Sequence, residues 1–186
     1  MNIDTSQRDF LLQLARNSII HGVHHGKALP VDVSSLPSPL KSIRATFVTM
    51  KKNNKLRGCV GMIEPVRELA KDISENAFAA AFRDPRFAPV SGPELEVLKI
   101  DISILSPMQP VSFHDEADLL RQLEPGIDGI LIDDGQRRAT FLPKVWENLP
   151  DRENFMRELK LKAGLSADHW DKEIKVFRYY TNNFSE

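Results

Sequence analysis

Cysteine is almost missing from this chain of 186 residues, where Cys59 stands alone. An internal disulfide is therefore excluded, and a reducing compartment is the expected setting. Apolar runs of membrane-span length are missing too, and residues 1–16 lack the pattern of a secretory leader, which together predict a soluble, cytoplasmic protein with no membrane partner. Neither sign of charge is in excess, since 25 Lys and Arg stand against 26 Asp and Glu. No overall field draws the chain to phosphate backbones, so binding of nucleic acid would need a local basic patch. Phosphate-cradling loops are lacking as well. Gly58 and Gly61 are not followed by the lysine and hydroxyl residue of a P-loop, and the dinucleotide fingerprint is absent, so no cofactor is indicated.

What is present suffices for one domain with a real apolar core, accompanied by a smaller lobe. Phe10, Leu11, Leu14, Ala15 and Ile19 recur at helical spacing and predict a helix from Thr5 to about His21, capped by Ser6. The proline- and serine-rich stretch 30–39 predicts an irregular connection over the surface. Alternating residues at 44–51 and an apolar run at 56–63 flank Asn53-Asn54, a pair that tolerates positive φ, and so predict a β-hairpin. A helix is expected from Pro65 to about Asp84, stopped by Pro85. Ile100, Ile102 and Ile104 mark a strand with one apolar face. Beyond it, 115–123 reads as a short helix, 130–132 and 138–142 as a hairpin about Asp134-Gly135, 155–161 as a helix closed by Gly164, and 174–179 as a final strand. Hairpins outnumber strand-helix-strand crossovers, so the fold class is α+β with a mainly antiparallel sheet flanked by helices.

Candidate chemistry gathers at Leu56-Arg57-Gly58-Cys59-Val60-Gly61. A thiol bracketed by glycines is reachable at a cleft edge, and Arg57, two residues away on a strand, would share its face and favour the thiolate. A buried packing thiol is the alternative. Asp84 and Arg86, flanking Pro85, offer with Arg57 a polar cleft for an anion, Asp84 orienting both guanidiniums; a structural Asp–Arg pair is the plainer reading. Three histidines, 21, 24 and 25, lack the further ligands of a zinc site and suit a helix C-terminus. The glycines at 129 and 135 make Asp128, Asp133 and Asp134 turn residues before calcium ligands. Trp146 and Trp170 read as packing anchors.

Several segments, taken in order, resemble the AMMECR-domain family, named after the human AMME-syndrome chromosomal region. They are Leu11 to Arg16, the hexapeptide Leu56 to Gly61, Asn76-Ala77 through Ala80-Ala81, Asp84-Pro85-Arg86-Phe87, Ser103 to Pro107, Pro125 to Gly129, Phe141 to Trp146 and Lys162 to Leu165. The family often has a second cysteine just before the last of these, where Lys160 stands here, which speaks against a two-thiol redox or metal mechanism. The resemblance implies an α+β domain of two lobes with the hexapeptide near a cleft between them. It also implies, through the bacterial three-gene AmmeMemoRadiSam setting, a modification pathway with a radical S-adenosylmethionine enzyme and a Memo-like protein as partners. Cys59 is then the candidate catalytic group, and Arg57, Gly58, Gly61, Asp84 and Arg86 the candidate ligand contacts, for a small-molecule or macromolecular substrate. Enzyme and accessory roles both stay open. The competing class is a non-catalytic adaptor that binds protein or RNA, the latter requiring Lys51, Lys52, Lys55 and Arg57 on one basic face.

Overall fold

The computed structural model describes residues 3–171 and 173–186. In chain order the elements are α1 (Thr5–His25), α2 (Ser38–Lys41), β1 (Thr46–Lys52), β2 (Lys55–Gly61), α3 (Leu69–Phe82), β3 (Leu98–Leu105), β4 (Gln109–Pro110), α4 (Glu116–Gln122), β5 (Gly129–Asp133), β6 (Arg138–Phe141), α5 (Arg152–Lys162), β7 (Lys175–Tyr179) and β8 (Thr181–Ser185), with 3-10 turns at Gly92–Val97 and Pro143–Glu147. The fold is α+β, as expected. The strands form two four-stranded sheets, ordered β2-β1-β3-β8 and β4-β7-β5-β6. They belong to two compact units, one made of Met1–Leu105 with Asn182–Glu186 and the other of Ser106–Thr181. Among the described residues no helix is long and apolar enough to cross a membrane.

In the first unit, β1 pairs antiparallel with both β2 and β3. Val48, Met50, Ile100 and Ile102 point to one face and are fully buried with α1 and α3 over them. Each such side chain contributes about 1.5–3 kcal/mol of burial free energy. The Asn53-Asn54 turn has φ of 52° and 60°, as the hairpin reading requires. Helix α1 departs from expectation at both ends. Asp4, in place of Ser6, is the N-cap and forms with Gln7 a reciprocal capping box that satisfies two free donors, and the helix runs to His25 before Gly26 closes it at φ 67°. The stretch 30–39 contains the start of short α2, and Val31, Val33 and Leu36 pack against the core.

Helix α3 starts four residues later than Pro65 suggests. Residues 67–69 bond instead to 42–44, through Arg44 N–H to the Arg67 carbonyl and Leu69 N–H to the Ser42 carbonyl. Once started, α3 is tied to β1 by a buried carboxylate. Asp72 accepts the Thr46 N–H at 3.1 Å, the Thr46 hydroxyl at 2.6 Å and the Asn76 amide at 2.9 Å on one oxygen, and Arg67 at 2.8 and 3.0 Å on the other.

The second unit is an antiparallel sheet with α4 and α5, its core built around Trp146 stacked on Phe155 at 3.6 Å between ring centroids. Trp146 Nε1 also donates to the Asp128 carbonyl at 2.7 Å. Asp128 is fully buried; its carboxylate takes the Glu124 N–H and lies 3.2 Å from Arg178, and burial pushes the carboxyl upward. Asp133 and Asp134 accept backbone N–H groups of their own turn.

Gly58 and Gly61 are explained by crowding. A Cβ on Gly58 would collide with the Ala80 carbonyl oxygen of α3, and one on Gly61 with the Thr46 carbonyl oxygen and the Phe47 ring. Gly58→Ala is expected to destabilise the first unit by roughly 1–3 kcal/mol, as overpacking against backbone does. Gly92→Ala, where a Cβ meets nothing within 4 Å, serves as the neutral control in denaturant unfolding, within about 0.5 kcal/mol.

Candidate functional site

Strand β2 is an edge of its sheet. Along it Cys59 is the register partner of Thr49, whose neighbours Val48 and Met50 face the helices, so the thiol lies on the opposite face. Cys59 is part-exposed there, and its Sγ accepts a hydrogen bond from the Thr49 hydroxyl at 3.2 Å.

Residues 84–87 follow the end of α3 and run beside this edge. Asp84 is buried, its side chain 2% exposed, and one oxygen accepts the Cys59 N–H at 2.9 Å. Arg86 grips the same carboxylate through Nε at 2.9 Å and Nη2 at 2.7 Å, adds its own N–H at 3.1 Å, and reaches the Cys59 carbonyl at 3.4 Å. The Arg86 side chain is itself 53% exposed. The guanidinium holds the Asp84 carboxyl far below the ordinary carboxylate range, outweighing burial, with the Cys59 and Arg86 N–H groups assisting. In return the Arg86 pKa is raised, chiefly by the bond to Asp84.

Arg57 is placed differently from expectation. Gly58 pairs with Met50 and Leu56 with Lys51, so a bulge falls at Arg57 and the two-residue alternation does not carry across it. Its carboxylate partner is Glu94, at 3.0 and 3.1 Å, and its Nη2 also donates to the Ala88 carbonyl at 2.9 Å. Asp84 therefore orients Arg86 alone. Sequence reasoning missed Glu94, whose only local signal is the capping box it forms with Ser91. Arg57, with support from Ser91 and Lys52, holds the Glu94 carboxyl far below its usual range. Phe87 joins the two arginines, its ring centroid 5.8 Å from the Arg57 guanidinium carbon and 5.5 Å from that of Arg86.

The remaining candidates are occupied elsewhere. Lys51 is ion-paired with Asp101 at 2.6 Å, and Lys52 shares Glu94 with Arg57, so the basic face of the RNA reading is largely neutralised. His21 and His25 stack at 4.1 Å in the last turns of α1. Among the described residues no three His, Cys, Asp or Glu side chains group as metal ligands. Trp170 packs on Phe113 at 5.5 Å.

Comparison with known proteins gives a match to the AMMECR1 family model over residues 12–184. A protein of Methanothermobacter thermautotrophicus is 35% identical over 182 residues, spanning 95% of this chain and 92% of its own length. One from Thermotoga maritima is 38% identical, spanning 87% of this chain and 89% of its own. The crystal structure of the uncharacterized protein PH0010 from Pyrococcus horikoshii superposes with a TM-score of 0.91 at 30% identity, covering 99% of this chain and 93% of that one.

Both carboxylates of the site have lowered values from ordinary ones of 3.8 and 4.5. Each therefore binds its proton less readily folded than unfolded, and the stability it contributes is complete above the ordinary value and lost as pH falls below it. Denaturant unfolding from pH 7 towards pH 3 is expected to show the first unit weakening below about pH 4.5, with Asp84→Asn flattening that decline.

Proposed function

The chain belongs to the AMMECR1 family, and on that premise we propose that it binds an anionic ligand at the Arg86–Cys59 edge of the first sheet. Its role is that of a component of a cytoplasmic modification pathway, working beside a radical S-adenosylmethionine enzyme and a Memo-like protein. One observation carries the ligand reading: a buried carboxylate clamps both the backbone of Cys59 and the guanidinium of Arg86, while the Arg86 side chain stays half exposed at the backbone of the thiol residue. Asp84 engages Nε and Nη2, and among the described residues no hydrogen bond is made by Nη1, which is the edge left for a carboxylate or phosphate.

The thiol adds a nucleophile beside the anion seat, so one ligand can be held by charge and presented to sulfur. Cys59 is the candidate reacting group and Arg86 the ligand contact. Arg57, bound to Glu94, supports the seat through Phe87. Gly58 and Gly61 act through close packing of β2, outside direct contact with ligand. The pathway and its partners are supported by the family resemblance.

Mass spectrometry of small molecules retained by the purified chain is the test, with Arg86→Ala and Cys59→Ala in parallel. An anion retained by the native chain, lost in Arg86→Ala and kept in Cys59→Ala as long as no covalent adduct forms, is the expected result. Arg86→Ala should cost about 1–3 kcal/mol by leaving Asp84 short of a partner, so a folding check by circular dichroism accompanies it. Equal retention by native chain and Arg86→Ala would remove the anion seat.

A further inference from the structure

The last turns of α1 gather His21, His24 and His25 just before Gly26 turns left-handed. His21 and His25 are four residues apart and so stand one above the other on a single helix face. Their rings stack with centroids 4.1 Å apart and planes 13° from parallel, whereas His24 meets His25 edge-on at 6.3 Å. Each ring of the stacked pair has a nitrogen left over. His25 Nδ1 lies 3.1 Å from the His21 carbonyl, and because a carbonyl only accepts, Nδ1 carries the hydrogen and Nε2 of the neutral ring carries the lone pair. His21 Nε2 is shielded from solvent and bonded to nothing. A hydrogen bond from one ring nitrogen to a backbone carbonyl is also the arrangement that orients a metal-ligating imidazole.

We infer that His21 and His25 form a two-imidazole site for a divalent transition metal of the zinc, nickel or copper class, with water completing its coordination. The class follows from the donors. Imidazole nitrogen suits these ions, whereas calcium and magnesium would need oxygen ligands. Among the described residues no third His, Cys, Asp or Glu side chain groups with the pair, so the site is open and exchangeable, unlike the closed four-ligand set of a structural zinc. Metal–imidazole bonds of about 2.0–2.1 Å hold two such nitrogens roughly 3–4 Å apart. The stack is already near that spacing, and its rings need to splay so that their lone pairs converge. His25, exposed at the end of the helix, has room for that movement. The negative end of the helix dipole lies at this same turn and favours a cation there. The site is built by α1 alone, and the inference does not depend on the Arg86–Cys59 reading.

Calorimetric titration of the purified, untagged chain with zinc sulfate is expected to show saturable binding of a single ion. Zinc should move the imidazole NMR signals of His21 and His25 while leaving those of His114 and His169 in place. His21→Phe keeps a ring for the stack and removes its nitrogens. That variant and His25→Ala should each weaken binding at least about tenfold, which corresponds to about 1.4 kcal/mol, while His24→Ala should bind as the native chain does. Absence of saturable binding by the native chain would overturn the inference, and so would native affinity in His21→Phe, which would leave adventitious surface zinc only. A loss in His24→Ala as large as that in His25→Ala would overturn it too, by moving the ion to the adjacent pair. Circular dichroism checks the fold of each variant. Should His21→Phe not fold, His25→Ala at its exposed position carries the test, and native affinity there would equally overturn the site.

Discussion

Attachment of α3 to the hairpin rests on two carboxylates, one near each end of the helix. Asp72 in its first turn takes the Thr46 N–H of β1, and Asp84, two residues past its last, takes the Cys59 N–H of β2. Both are buried, and each is paid for by an arginine, Arg67 and Arg86 respectively. A buried carboxylate without a partner is expensive, so the positions of these arginines are dictated by the helix that carries the acids. Gly58 completes the fit by letting β2 lie against the Ala80 carbonyl. The geometry around Cys59 is thus a by-product of how helix and strands are fastened.

That origin explains the division of labour between the two arginines. Arg86 shares its carboxylate with the backbone of the thiol residue, so it stays beside Cys59. Arg57 belongs to a bulge, where the extra residue turns out of the strand's rhythm and finds Glu94 in the 3-10 turn. Phe87 lies against both guanidiniums and couples two ion pairs that are otherwise separate.

Much of this was legible in the sequence, and the exceptions have physical reasons. Period-two patterning at Ile100, Ile102 and Ile104 located β3, and Asn53-Asn54 located the hairpin turn, because each records a local rule of backbone geometry. Strand β8 was illegible: its residues are mostly polar, Phe184 being the one large apolar side chain, and it is held by pairing at a sheet edge. The two-sheet arrangement was hidden for the same reason, since which strands pair is a long-range matter. At the site, Cys59, Asp84 and Arg86 came together as the motifs suggested. Glu94 escaped notice because its partner lies 37 residues away in sequence and at a bulge, where strand alternation gives no guidance.

The first unit is interrupted in sequence, beginning at one end of the chain and finished by residues 182–186 after all of Ser106–Thr181. During synthesis, three strands of its sheet leave the ribosome long before the fourth, so β3 waits with an unpaired edge while the whole second unit is being made. Glu186, which grips Arg16 of α1 and takes the Ile100 N–H, comes with that fourth strand. The order of translation therefore delays completion of the first sheet until the fourth strand has followed the entire second unit.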